Sequence, residues 1–241
     1  MKLGLGLNIK SDAVWTPAKL GNRLKLWLRK NTGILESDGS TAEDGEDITK
    51  WTDQSGSGNH MLAANNYFDY DSATGGVESS DSTNSKLYLA TDGTKDITFT
   101  GAFALYARMS LSTVTTGSHD LFLYDSDATS ADFFRVQSTT ELRTKINNSA
   151  KVGFTQSSPT LDQFYNFGLE RDADNVITAY RNNSSLTKIT SGGYETGAVE
   201  GDFVLDAIGG NFDGIILEVV WIDRSLTPLE RAKLEAYFHR V

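Results

Sequence analysis

The chain has 241 residues, of which 39% are hydrophobic and 10% aromatic, enough for the core of one large β-sandwich or two small domains. Its net charge of −10, with no lysine/arginine run longer than Arg29-Lys30, argues against a polyanion partner and against nucleic acid in particular. The absence of cysteine excludes disulfides and thiolate metal sites, and the most apolar stretch, Ile215–Ile222, is broken by Glu218 and far too short to span a membrane.

Residues 1–21 read as an arm separate from a domain at 22–241. The apolar residues Leu3, Leu5, Leu7, Ile9 and Trp15 are its candidate anchoring contacts. The glycine-broken opening is too short for a signal peptide, so the mature chain is expected to start at Met1. Thr16-Pro17 predicts a short helical turn over 17–20. From there strand signals dominate. Leu24, Leu26 and Leu28 alternate with Lys25, Trp27 and Arg29, the pattern of a half-buried strand. Residues 36–47 form an acidic loop, 53–60 are turn chemistry throughout, and 71–85 make another long polar loop.

Short strands then recur. Phe103, Leu105, Ala107, Met109 and Leu111 share one face; Leu121 and Leu123 oppose Phe122 and Tyr124; Leu142, Thr144 and Ile146 oppose Glu141, Arg143 and Lys145. Further strands are expected at 164–170, 176–181, 203–208 and Ile215–Ile222. The last is apolar on both faces, Glu218 excepted, which predicts a central strand covered on each side by this chain or a neighbour. Thr227-Pro228-Leu229-Glu230 is a capping box with proline at the first helical position, and Leu234, Tyr237, Phe238 and Val241 continue it as one apolar stripe. Many short strands and one terminal helix predict an all-β sandwich.

Chemistry is sparse. The histidines, His60, His119 and His239, fall in a turn, a loop and the terminal helix, and no Gly-x-Ser-x-Gly elbow accompanies them. The expectation is a non-enzymatic protein. Hard oxygen ligands favour calcium over zinc. The best local cluster is Asp125, Asp127 and Asp132, although Ser130 and Val136 stand where a calcium loop needs glycine and glutamate. No cofactor is expected, with calcium the one candidate; a solvated acidic loop is the commoner meaning of such a cluster. Around residue 68, Tyr67, Phe68 and Tyr70 interleave with Asn65 and Asn66, a composition suited to sugar binding. The competing and slightly preferred reading is an edge strand whose aromatics pack inward.

Two stretches carry a family likeness. Leu24-Lys25-Leu26-Trp27-Leu28-Arg29 followed by Trp51-Thr52-Asp53-Gln54-Ser55-Gly56-Ser57-Gly58-Asn59-His60 resembles the opening of laminin-G-like domains of the concanavalin A-like superfamily. Phe212-Asp213-Gly214 through Trp221, ending in Ser225-Leu226-Thr227-Pro228-Leu229-Glu230, is similar to their closing strand and helix. The resemblance implies a jelly-roll sandwich of two antiparallel sheets with a short C-terminal helix. That fold hosts lectins, glycosidases and structural modules alike. Catalytic members carry a Glu-x-Asp-x-(x)-Glu strand. Neither Glu36-Ser37-Asp38 nor Glu218-Val219-Val220 completes it.

The overall organisation resembles virion proteins of tailed phages, marine ones in particular. That likeness implies a decoration, fibre or tail-associated protein on the particle surface, present in several copies and partnered by other virion proteins. The alternative is a carbohydrate-binding module or adhesin that recognises a cell-surface polysaccharide.

Overall fold

A computed structural model describes residues 14–63, 68–79, 85–90, 94–114, 119–125 and 132–240. Among them, two antiparallel sheets face each other across one core, and a single α-helix lies at the C-terminal end. The eight-stranded sheet runs Ser184–Ser185, Ile177–Arg181, Tyr165–Arg171, Phe103–Met109, Ile215–Ile222, Gly76–Ser79 and Phe68–Asp71, with Leu24–Arg29 also paired to Ile215–Ile222. The ten-stranded sheet runs Thr187–Lys188, Ala150–Thr155, Glu141–Ile146, Phe133–Ser138, His119–Leu123, Ala207–Gly209, Lys86–Tyr88, Met61–Ala63, Lys50–Trp51 and Ile34–Leu35. Ile97–Phe99 and Phe203–Leu205 pair as a small third sheet.

Period-two patterning explains most of the core. Phe103, Leu105, Ala107, Met109 and Leu111 do share one face, and they meet Phe122, Phe134, Leu142 and Phe154 of the opposite sheet. Trp221 packs edge-on against Phe122, with ring centroids 5.5 Å apart. Where the alternation fails, a bulge is the reason. Between Leu24 and Leu26 the register slips, so Leu24 joins Trp27 on the outer face while Leu26 and Leu28 enter the main core. A second slip between Asp120 and Phe122 turns Leu121 and Phe122 both inward. The strand expected over 203–208 divides at the buried Asp206, whose Oδ1 accepts the Asp125 N–H at 2.7 Å.

The double-sided strand Ile215–Ile222 is central, as its apolar faces require. Its inner cover is the opposite sheet and its outer cover is this chain's own helix, Pro228–Phe238. The capping box forms, with the Glu230 N–H donating to Thr227 Oγ1 at 3.2 Å and the Thr227 N–H to Glu230 Oε2 at 3.0 Å. Leu234, Tyr237 and Phe238 of the predicted stripe pack on Trp27, Tyr106, Val220 and Ile222, while Val241 lies outside the described residues. That cover buries Trp27, which strand alternation alone places on an open face.

The 53–60 turn ties this layer together. Asp53 accepts the backbone N–H groups of Trp27 (2.9 Å), Ser55 (2.8 Å) and Asn59 (3.0 Å), and the Ser55 hydroxyl donates to it at 2.7 Å. Gly56 and Gly58 hold φ of 86° and 71°, which the tight reversal requires. Asn59 Nδ2 and Ser57 Oγ donate to the Lys25 and Leu24 carbonyls at 2.7 and 3.0 Å. The motif that carries the family likeness is therefore a structural lock. Asp53→Ala is expected to cost about 3 kcal/mol of unfolding free energy, and Asp53→Asn less, in denaturant titrations; a loss below about 1 kcal/mol would contradict the lock.

Residues 14–21 do not stand apart from the domain. The turn expected over 17–20 is a 3-10 helix, Pro17–Arg23, whose Leu20 is buried beside Leu24, and Trp15 packs on the same cluster while its carbonyl accepts from Arg240 at 3.0 Å. The remaining anchoring candidates, Leu3, Leu5, Leu7 and Ile9, lie outside the described residues.

Candidate binding face

In the ten-stranded sheet every second residue points away from the core, and the register aligns those residues into rows across the strands. One row is mainly apolar. Leu35, Lys50, Leu62, Tyr88, Ala207, Leu123, Phe133, Lys145 and Lys151 stand opposite one another in turn, strand by strand. At ~4.8 Å per strand this row spans roughly 40 Å. Leu123, Phe133 and Ala207 are buried in a small cluster of their own, separate from the main core, and the half-buried Tyr88 packs against it. At the far end, Leu35, Lys50 and Leu62 line an open cleft of about 410 Å³. A second cleft of about 550 Å³ adjoins it, lined by Glu36, Glu46, Asp47 and Asp69 of the acidic loop and its neighbour strand.

A polar row borders the apolar one. Arg135 lies 3.4 Å above the Phe133 ring and its Nε is 2.7 Å from Asp120 Oδ1. Burial pushes the Asp120 carboxyl up to about 6, against the pull of Arg135. Lys86 Nζ and the Tyr88 hydroxyl both donate to Asp125, at 2.7 and 2.9 Å. Burial, then that hydrogen bond, pushes the Tyr88 phenol well up. Arg143 Nε donates to Glu141 at 2.9 Å, and its Nη2 donates to the Tyr194 oxygen. The Tyr194 hydroxyl itself donates to Glu141 at 2.6 Å. Gly153 makes room for this ring, since a Cβ there would come within 3.1 Å of Tyr194.

The residues singled out from sequence are placed differently. Phe68 is fully buried in the main core at an edge strand, which corrects its assignment to a sugar-binding surface: packing on Phe68 is worth more than exposure when a core lies beneath. Tyr70, two residues on, packs partly on that core, and its hydroxyl donates to Asn31 Oδ1 at 2.7 Å. This is the inward-packing edge strand that the sequence reading preferred. Asn65, Asn66 and Tyr67 lie outside the described residues.

Of the metal candidates, Asp127 likewise lies outside them. Asp125 is engaged by Lys86 and Tyr88. Asp132 is buried and accepts the backbone N–H groups of Asn148 and Val204, each at 2.9 Å, so it works as a loop clamp. The two aspartates thus serve different local networks. Among the described residues no group of three histidine or carboxylate side chains gathers in a way that could hold an ion.

A strongly perturbed carboxylate lies elsewhere. Glu218 is fully buried between the eight-stranded sheet and the helix, where Trp27 Nε1 and the Tyr237 hydroxyl donate to it at 3.1 and 3.0 Å. Burial pushes it up to about 7. Glu170, also under the helix, accepts from Arg231 Nε and Nη2 at 2.8 and 2.9 Å and from the Tyr106 hydroxyl. The histidines share no site. His60 Nδ1 accepts the Asp53 N–H at 3.1 Å, His119 Nδ1 lies 2.6 Å from the Asn211 carbonyl, and His239 is 3.3 Å from Glu235.

No protein-family model matches the chain, and no curated protein does. Solved structures do, at low identity. Trypanosoma rangeli sialidase in complex with sialic acid aligns over 92% of this chain and 33% of its own, with 15% identity and a TM-score of 0.56. The chain thus spans about a third of the sialidase chains it matches. The binding domain of Paraclostridial Mosquitocidal Protein 1 aligns over 92% of this chain and 53% of its own, at 13% identity and a TM-score of 0.58. Domain 4 of AbnA, an extracellular GH43 arabinanase from Geobacillus stearothermophilus solved with arabinotriose, aligns over 88% of this chain and 98% of its own, at 16% identity and a TM-score of 0.53. At these identities the likeness establishes the fold.

Proposed function

We propose that this chain is a carbohydrate-binding module that works without catalysis and takes an extended glycan along the outer face of its ten-stranded sheet. The observation that carries the reading is the registered row from Leu35 to Lys151. Of its apolar members Leu35, Leu62 and Tyr88 are part-exposed and offer bodies suited to sugar C–H faces beside fixed hydrogen-bonding groups, while Leu123, Phe133 and Ala207 are buried. Two of the structural neighbours add support, since one is named a binding domain and the other was solved with an arabinose trisaccharide.

The non-catalytic part has separate support. Acid–base chemistry on a glycosidic bond needs two carboxylates that reach the sugar. Here Glu218 and Glu170 are closed off beneath the helix and Asp120 is held by Arg135, while the carboxylates that open on a cleft, Glu36, Glu46, Asp47 and Asp69, lie at the far end of the row beside Leu35. The virion role expected first from the sequence is carried by none of these neighbours, so the sugar-binding alternative takes its place. Calcium has no part in the proposal.

A glycan array followed by calorimetry tests it. Tyr88→Ala should weaken the best ligand about tenfold, the worth of one sugar–aromatic contact, while Tyr88→Phe keeps most of the affinity. Arrays without a binder, or unchanged affinity in the alanine variant, would remove this face from consideration.

A further inference from the structure

We infer that the sugar taken by this face carries a carboxylate, which makes the ligand class a uronic-acid glycan. The inference rests on the sugar-binding reading of the same face. Arg135 and Arg143 stand directly opposite each other on neighbouring strands. Like charges in that position destabilise a sheet; Asp120 and Glu141 offset part of that repulsion, and a ligand anion between the two guanidinium groups would offset more. Their side chains retain 20% and 24% of their exposure, enough for a ligand to reach.

Hydrogen-bond accounting points the same way. The carboxylates beside these two arginines are committed: Asp120 to Arg135, Asp125 to Lys86 and Tyr88, Glu141 to Arg143 and Tyr194. The donors are not all committed. Each arginine meets its internal carboxylate through Nε, and both Nη atoms of Arg135 and Nη1 of Arg143 have no acceptor among the described residues. A neutral sugar needs acceptors for its hydroxyl protons as well as donors. A planar carboxylate needs donors alone, and a guanidinium supplies them in pairs. The net charge of −10 argues against a polyanion only when the charge is spread evenly, and here the register brings Arg135, Arg143 and Lys145 together at the end of the face far from the acidic cleft.

The test is calorimetry of the full chain with uronate tetrasaccharides from pectin and alginate, each beside its methyl ester, with a neutral arabinan and a sulfated galactan as further arms. The acid form should bind at least about tenfold more tightly than its ester and weaken at high salt. Arg143→Gln should cost about tenfold, whereas Glu141→Gln, which frees Arg143 from its internal competitor, should tighten binding severalfold. A merely structural role for Glu141 cannot produce that gain, and this variant carries the test should Arg143→Gln fail to fold. Equal affinity for acid and ester, preference for the neutral or sulfated arm, or indifference to both substitutions overturns the inference and leaves sugar binding standing. Failure of every glycan to bind overturns both.

Discussion

Arg171→Ala is expected to remove about 3–5 kcal/mol of unfolding free energy, a fall of roughly 10 °C in melting temperature for a domain of this size. Arg171 is fully buried, and its guanidinium donates to three backbone carbonyls: Gly101 through Nε (2.7 Å), Gly201 through Nη1 (2.6 Å) and Phe99 through Nη2 (2.9 Å). It also lies 5.1 Å from the Phe103 ring centroid. These carbonyls end or flank the small sheet of Ile97–Phe99 and Phe203–Leu205, so one side chain fixes that sheet to the main sandwich. Alanine leaves three buried acceptors unpaired as well as a cavity, and neither water nor the backbone fills both. Arg171→Lys keeps the charge but brings one compact ammonium where a planar fork serves three directions, so it should recover under half of the loss. Thermal unfolding followed by circular dichroism measures both. A lysine variant as stable as the parent would show that charge alone matters.

The second large effect concerns pH. Burial moves Glu218 from the ordinary 4.5 to about 7, so its folded-state value lies above its unfolded one. A raised carboxyl contributes stability that is complete below pH 4.5 and is lost as the pH rises through 7, because the unfolded chain releases the proton first. The amount is about 3 kcal/mol for this shift. Asp120, raised to about 6, acts in the same direction over a lower window. Glu230, lowered to about 2 by Arg224, acts oppositely and only in acid. These groups should therefore make the protein most stable near pH 4.5 and soften it between there and pH 7. Glu218→Gln keeps one acceptor oxygen for Trp27 and Tyr237 without a charge to bury, so the decline between pH 4.5 and 7 should flatten. At pH 8 the variant should equal or exceed the parent. A parallel decline in both proteins would place the titrating group elsewhere.

Local chemistry is legible in the chain wherever it is completed locally. The capping box at Thr227 and Glu230, the single-faced run from Phe103 to Leu111, the alternation of Glu141–Ile146 and the bounds of Ile215–Ile222 follow from periodicity and turn residues alone, and the structure has them so. The bulges at Leu24/Leu26 and Asp120/Phe122 are not legible, because an extra residue in a strand changes no composition and is fixed by the partner strand. Phe68 illustrates the limit for site residues. An aromatic among polar neighbours looks the same in sequence whether it faces a sugar or a core, and only the sheet beneath it decides.

The candidate face shows the same division. Lys86, Tyr88, Phe133, Arg135 and Arg143 each alternate with core residues in their own segments, which reveals that they point outward. Nothing in those segments reveals that they point together. Their common row depends on strand order and register across strands from residue 34 to residue 209, set by long-range pairing whose free energy comes from the buried face. By itself the sequence determined the all-β class, the terminal helix and the turn lock at Asp53. Only the tertiary structure decided that helix covers one outer face while the other gathers its aromatic and charged groups into a line, because that outcome depends on which strands are neighbours and not on what any one of them contains.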